Sequence, residues 1–460
     1  MNYFHYFHKA IFAVFLYGIL TIPYNPSLWQ GLGDPYDYMR QSQLPLTKSD
    51  FYFPKFHSGK FYPRPFVVPF IYKIAETNPE KIVVANKLLL CFAAYLIVIT
   101  LLPFIKYVFI RYLSALLIYA LMSWWTIAGW TNVLLSETIS CSLLFIWIAS
   151  IVRIIKNFNW GNISFFFITS FLLAFTRDTW SCIVLLFSIT FLMLIFFFNK
   201  SDIKKAIGIL FFSIALFIFQ QYTAGISERY RISVFDTIVV RITQNQEYLN
   251  WFKENGMPYT DMVANDFKGF DITNDTDRLR LYSYYYSEAY GPLMKWVTEK
   301  GKPVYSKFLI THPLFFFLMH EKASDVNKLF SANIQPYIGT VKGFCSNVNR
   351  LWPLLSNWLI VVLVSFCCYL FFKQNLFIYL LPLILLILNV FNALLNYNGD
   401  FLELDRHLYI TTIISQFTGV LSLILLSNYG MIFLNKSIHS EHKFFKITKG
   451  LFITESKEIE

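Results

Sequence analysis

The sequence predicts an all-α polytopic membrane protein, a single membrane domain over residues 1–460 with about ten transmembrane helices and amphipathic helices in two large outer loops. Three observations lead there. Hydrophobic residues make up 56% of the chain and charged residues 15%, with a positive mean hydropathy of +0.48. One water-soluble core cannot absorb that much apolar side chain. Apolar windows long enough to cross about 30 Å of hydrocarbon recur along the chain, and the basic residues between them alternate in side.

The windows fall at about 6–23, 87–105, 110–128, 133–152, 162–176, 180–198, 206–224, 353–372, 375–395 and 408–430. The first lacks a small-residue cleavage site and is followed by further spans, so it reads as a retained anchor. Lys9, Lys106, Arg111, Arg153, Lys156, Lys200, Lys204, Lys205, Lys373 and the tail from Lys436 to Lys449 all fall on one side. By the positive-inside rule that side is cytoplasmic and holds both termini. The other side receives a loop of about 24–86, short turns near 129–132 and 176–179, a long loop of about 225–350 and a short one near 396–407. The stretch "FLITHPLFFFLM", 308–319, is too short to span and carries His312-Pro313, so it reads as interfacial or re-entrant.

Composition also excludes some classes. The net charge of +11 is distributed in short clusters beside apolar runs, which argues against nucleic acid as a partner. Cys91, Cys141, Cys182, Cys367 and Cys368 lie in apolar runs and Cys345 alone lies in a loop, so no disulfide framework is implied.

The ionisable residues nearest the outer span ends are Asp34, Asp37, Arg64, Glu137, Arg177, Asp178, Glu403, Asp405, Arg406 and His407, from five separate segments. Charge beside hydrocarbon costs several kcal/mol unless it is paired or faces water. Each residue has an ordinary reading. In "GLGDPYDYMRQS", Asp34 suits an N-cap, Pro35 the first helical position and Asp37 the third; Arg177 and Asp178 suit a helix-end pairing, Glu137 a helix start and Glu403 a solvated surface. Unrelated salt bridges have no reason to gather on one face, which makes the group a candidate site.

The order "GDPYDY", "YPRPFVVPFIY", "LLSETIS", "FTRDTW", "LITHP" and "ELDRHLYI" resembles the GT-C superfamily of polyprenyl-phosphate-sugar-dependent glycosyltransferases, in the branch with protein O-mannosyltransferase-like and aminoarabinose-transferase-like enzymes. The resemblance runs over nearly the whole chain and rests on the order and placement of short motifs. It implies a GT-C-like fold and a candidate catalytic carboxylate at a helix start in the first outer loop, followed four positions later by tyrosine. Asp34 and Tyr38 match that spacing, although Pro35 stands where such enzymes often carry a second acidic residue, which leaves Asp37 as the other candidate.

The implied reaction moves a sugar from a polyprenyl-phosphate donor to a hydroxyl of a glycan, lipid or protein acceptor on the outer side, in a bacterial inner (plasma) membrane whose lipids are the surrounding partner. Such a transfer needs a base, for which Asp34 or Asp37 serves, and cations on the leaving phosphate. Arg64, Arg177 and Arg406 offer planar donor forks for phosphate, with His407 donating or supporting Arg406. Tyr38, Glu137, Asp178, Glu403 and Asp405 complete the expected substrate-binding set. No metal-ligand spacing is present, so no cofactor is expected to be required, with a divalent cation as the open alternative. Trp251, Tyr284 and Tyr285 in the long loop are candidates for stacking on sugar rings or for packing at the interface. The competing functions are a polysaccharide polymerase or ligase using a diphosphate-linked donor, and a lipid-linked sugar transporter or flippase, which would place charges near the bilayer midplane.

The topology predicts that cysteines introduced at Asn132, Thr179 and Asn398 react with an impermeant thiol reagent in intact cells, and that those at Lys106, Lys204 and Lys443 do not. Reaction at position 443 from outside would overturn the ten-span arrangement.

Overall fold

The computed structural model describes residues 2–24, 33–55, 62–267, 284–285, 287–317, 376–399 and 409–432. The described residues are helical with no strands. The main helices are α1 (Asn2–Leu20), α2 (Gly33–Gln43), α3 (Val67–Ile74), α4 (Pro79–Leu101), α5 (Val108–Ser123), α6 (Ser136–Lys156), α7 (Trp160–Ala174), α8 (Trp180–Phe198), α9 (Ile203–Ile226), α10 (Tyr230–Thr237), α11 (Gln246–Glu254), α12 (Lys302–Thr311), α13 (Leu376–Gly399) and α14 (Tyr409–Ile432). Asparagines start several of them. Asn78 accepts from the amides of Glu80 and Lys81 ahead of α4, with Pro79 at the first helical position, and Asn159 and Asn245 cap α7 and α11 in the same way.

Among the described residues five helices are long and apolar enough, by length and composition, to cross a membrane: Pro79–Phe104, Ser136–Lys156, Trp180–Phe198, Phe377–Asn396 and Tyr409–Ile432. Shorter apolar helices lie at Tyr6–Leu20, Val108–Ser123 and Trp160–Ala174. The expected window at 353–372 lies outside the described residues. The stretch beginning at 308 is divided: α12 ends at Thr311, His312 leaves the helix, and Pro313–Phe317 forms a separate five-residue helix. Proline at 313 removes an amide and disfavours helical backbone at His312, which accounts for the break.

α6 is the central helix, buried over nearly its whole length. Polar side chains tie it and its neighbours together: the Trp147 indole donates to Ser170 Oγ at 2.9 Å, and Thr169 donates to Ser150 at 3.1 Å. The Ser188 and Ser213 hydroxyls join α8 to α9 at 2.7 Å, and Asn389 donates to the Thr411 carbonyl and Ser415 to join α13 to α14. Such bonds bring helices together where apolar burial gives little drive, because lipid tails are as apolar as leucine. Phe109, Phe197 and Phe211 face away from the bundle.

The segment from α10 to Phe317 builds a second core, in which Phe235, Val239, Phe252, Phe267, Val297 and Phe308 are fully buried. It meets the bundle at α13, where the Tyr305 hydroxyl donates to the Asn398 carbonyl at 2.8 Å and Arg241 donates to the Asn398 side chain at 2.7 Å. This core decides between the two readings left open for Tyr284 and Tyr285. Tyr284 and Tyr285 are buried in it, Tyr284 against Phe267 and Tyr290 and Tyr285 against Phe235 with its hydroxyl on Asp236, so neither presents a face to a sugar. Trp251 packs on Phe252 and Phe308, with ring centroids 5.2 Å away in each case.

Asn132 and Asn398 are buried, which makes them poor reporters of sidedness. Glu254, exposed at the end of α11, is the better one. In a cysteine-free background Glu254→Cys is expected to react with an impermeant maleimide on intact cells, and the exposed Lys204→Cys only after permeabilisation. Equal reaction at both positions would exclude the expected orientation.

Candidate functional site

Arg64 sits in the segment Tyr62-Pro63-Arg64-Pro65. Both Tyr62 and Arg64 precede proline, which biases each toward extended backbone, and the segment is non-helical. The buried Gln41 amide holds it: Gln41 donates to the Arg64 carbonyl at 2.9 Å and to the Phe51 carbonyl at 3.0 Å, and accepts from the Arg64 amide at 3.0 Å. The guanidinium reaches α2, where Nη2 donates to Asp34 and, at 3.1 Å, to Asp37 Oδ2. Its carbon lies 4.8 Å from the Tyr62 ring centroid and 5.2 Å from that of Tyr38, within cation–π range.

α2 begins at Gly33, one residue before the expected cap, so Asp34 lies inside the first turn and shares Arg64 with Asp37. The other Asp37 oxygen accepts from the Tyr62 amide at 3.0 Å. Burial holds the Asp37 carboxyl above its usual range, against the downward pull of Arg64 and the Tyr62 amide. For Arg64, burial acts to lower the pKa, but Asp34 and its other neighbours outweigh it and the guanidinium stays charged.

Two more arginine–carboxylate pairs stand beside this one. Glu137 lies in the first turn of α6, where the helix dipole favours negative charge. Its Oε1 is 2.8 Å from Arg177 Nη2, and Arg177 Nε donates to Ser136 Oγ at 3.3 Å. Next in sequence, Asp178 receives a two-pronged contact from Arg229, with Nε at 3.1 Å from Oδ2 and Nη2 at 3.0 Å from Oδ1. Arg229 also donates to Thr223 Oγ1 at 3.1 Å, and Gln220 donates to Asp178. The turn after α9 aims Arg229: Glu228 takes a left-handed φ of 53°, and the Arg229 amide bonds back to the Ala224 carbonyl at 3.1 Å. The Arg229 carbonyl accepts from the Tyr62 hydroxyl, which joins the first loop to the start of the second.

These pairs border a cavity of about 350 Å³. Its wall includes the start of α6 at Ser136, the 176–179 turn, the end of α9 at Gln221 and Ala224, and Leu395 and Asn396 of α13, with Tyr230 and Tyr305 from the second core. Four cations line it: Arg64, Arg177, Arg229 and Lys302. Among the described lining residues Asp178 is the single carboxylate; Asp34, Asp37 and Glu137 contact the arginines without lining the cavity.

Of the residues expected from sequence, Tyr38, Arg64, Arg177 and Asp178 therefore meet on one cavity wall, with Asp34, Asp37 and Glu137 one contact behind. Glu403, Asp405, Arg406 and His407 lie outside the described residues. Arg229, Lys302, Tyr62 and Tyr305 were not anticipated. Arg229 had a usable signal, an arginine just beyond the end of an apolar window. Lys302 had none. Among the described residues no group of three or more His, Cys, Asp or Glu side chains is arranged to hold a metal ion.

No family model, curated protein or solved structure matches the chain.

Arg229 is almost wholly buried, so removing its counter-charge strands a cation. Asp178→Asn is expected to lower stability by roughly 2–4 kcal/mol, reduced from the fully buried case because Asp178 is itself partly exposed. Thermal unfolding of the purified protein in detergent measures this. An unchanged melting temperature would show that the hydroxyl and carbonyl of Thr223 suffice to hold Arg229.

Proposed function

We propose that the protein is a GT-C-type membrane glycosyltransferase with ten spans and cytoplasmic termini, moving a sugar from a polyprenyl-phosphate donor to an acceptor hydroxyl at the outer face. The observation that carries this reading is the cation-lined cavity at one end of an apolar helix bundle, beside two carboxylates gathered on one guanidinium. A cavity so placed suits a ligand with an anionic head and a hydrocarbon tail. The order of sequence motifs adds the resemblance to enzymes with such donors.

In the proposed reaction Asp34, partly exposed beside Arg64 and off the cavity wall, takes the proton of an acceptor hydroxyl that approaches from its side as that oxygen attacks the anomeric carbon. The bond from that carbon to the phosphate oxygen breaks, and the phosphate leaves with the electron pair. Arg64 and Arg177 stabilise the charge that develops on it, a contribution on the order of a few kcal/mol for each well-placed donor. Asp37, fixed by the Tyr62 amide and Arg64, positions the guanidinium. Arg406 and His407 remain proposed members of the phosphate site.

Asp34→Asn keeps size and helix-start preference while removing the proton acceptor. The transfer rate is expected to fall by roughly 10²–10⁴, with a smaller fall for Asp37→Asn. The assay follows labelled sugar leaving a synthetic polyprenyl phosphate for the acceptor fraction of membranes, with donor binding measured separately. A silent Asp34→Asn beside an inactive Asp37→Asn would move the base to Asp37, and two active variants would remove this loop from the chemistry.

A further inference from the structure

The three arginines of the cavity are all met by carboxylates: Arg64 by Asp34 and Asp37, Arg177 by Glu137, and Arg229 by Asp178. Lys302 is different. Among the described residues its ammonium has no carboxylate within ion-pair distance; it donates to Gln221 Oε1 at 3.1 Å and lies 5.3 Å from the centroid of the Tyr230 ring. It is half-buried on the cavity wall. An amide oxygen and a ring face are weak compensation for withdrawing an ammonium from water.

We propose that Lys302 is the anion anchor of the cavity, its ammonium taking a phosphate oxygen of the bound ligand where the described residues supply no carboxylate. The arginines, already neutralised in pairs, then shape the wall and direct remaining N–H groups, while the charge balance of the complex is completed at Lys302. Burial lowers the lysine pKa and Arg229 acts in the same direction, with Asp178 opposing, as expected for a cation whose counter-ion arrives with the ligand. Naming this residue rests on the donor reading only for the identity of the phosphate. That phosphate could come from a polyprenyl phosphate, from a bilayer lipid headgroup or from free inorganic phosphate.

The test compares full-length wild-type protein with Lys302→Met and Lys302→Gln in detergent. Melting temperature is read alone and on titration with polyprenyl monophosphate, phosphatidylglycerol or inorganic phosphate, and sugar transfer from a synthetic donor is assayed in parallel. The expected result is an unliganded melting temperature no lower than wild type, because a poorly compensated cation has been removed, with a response to polyprenyl monophosphate roughly tenfold weaker or more. A response specific to phosphatidylglycerol or inorganic phosphate, equally dependent on Lys302, would keep the anchor and reassign its source. If both variants respond as wild type does, if wild type responds to none of the three, or if both melt lower without ligand, the anchor is wrong. Wild-type transfer with variants of undiminished phosphate response would leave the glycosyltransferase reading standing alone. Absence of transfer by wild type, with a phosphate response lost in the variants, would leave the anchor standing and remove the glycosyltransferase reading.

Discussion

A guanidinium at the end of an apolar helix must find a carboxylate or lose several kcal/mol, and the region around the cavity is organised by that requirement. Arg64 joins its proline-flanked segment to α2, Arg177 joins the 176–179 turn to the start of α6, and Arg229 joins the end of α9 to the start of α8. Each pair closes a different gap between helix ends. Gln41 donating to the Arg64 carbonyl, and Ser136 and Thr223 accepting from Arg177 and Arg229, then orient the segments or side chains so that the charges face one another.

Electrostatic satisfaction and chemistry pull against each other here. Two carboxylates on one nitrogen of Arg64 hold the first loop firmly, yet a proton acceptor works best when it is not engaged too strongly by a cation. Burial around Asp37 outweighs the pull of Arg64 and holds its carboxyl above the usual carboxylate range. The loop gains rigidity without giving up all of its basicity.

Helix positions were readable in the sequence because apolar length is a one-dimensional property: the windows at 133–152 and 180–198 fall on α6 and α8. Charges at window ends were readable for the same reason, which is how Arg64, Glu137, Arg177 and Asp178 were singled out. Their partners were less accessible. Asp178 beside Arg177 suggests a local pair, whereas the fold sends the two neighbours to Arg229 and Glu137. That choice depends on a left-handed residue at Glu228, a conformation for which glutamate carries no signal. For Tyr284 and Tyr285 the sequence left sugar stacking and packing open, because a polar loop rich in tyrosine suits both, and nothing local reveals that Phe235 and Phe267 lie ready to bury them. Lys302 had no apolar window to locate it, and its standing without a carboxylate partner among the described residues is a property of three dimensions.

The two hydrophobic cores answer to different solvents. The bundle displays Phe109, Phe197 and Phe211 to its surroundings, so its cohesion depends on polar links and close packing within hydrocarbon. The core around Phe252 and Phe308 is built from the segment between α9 and α13, on the side expected to face water, where its cohesion comes from the exclusion of water, a force that weakens on cooling and in urea. The two are joined at Asn398 and through Arg229. Urea at low temperature therefore loosens one wall of the cavity while the helices beneath remain assembled, and replacing one lipid by another disturbs the opposite wall first.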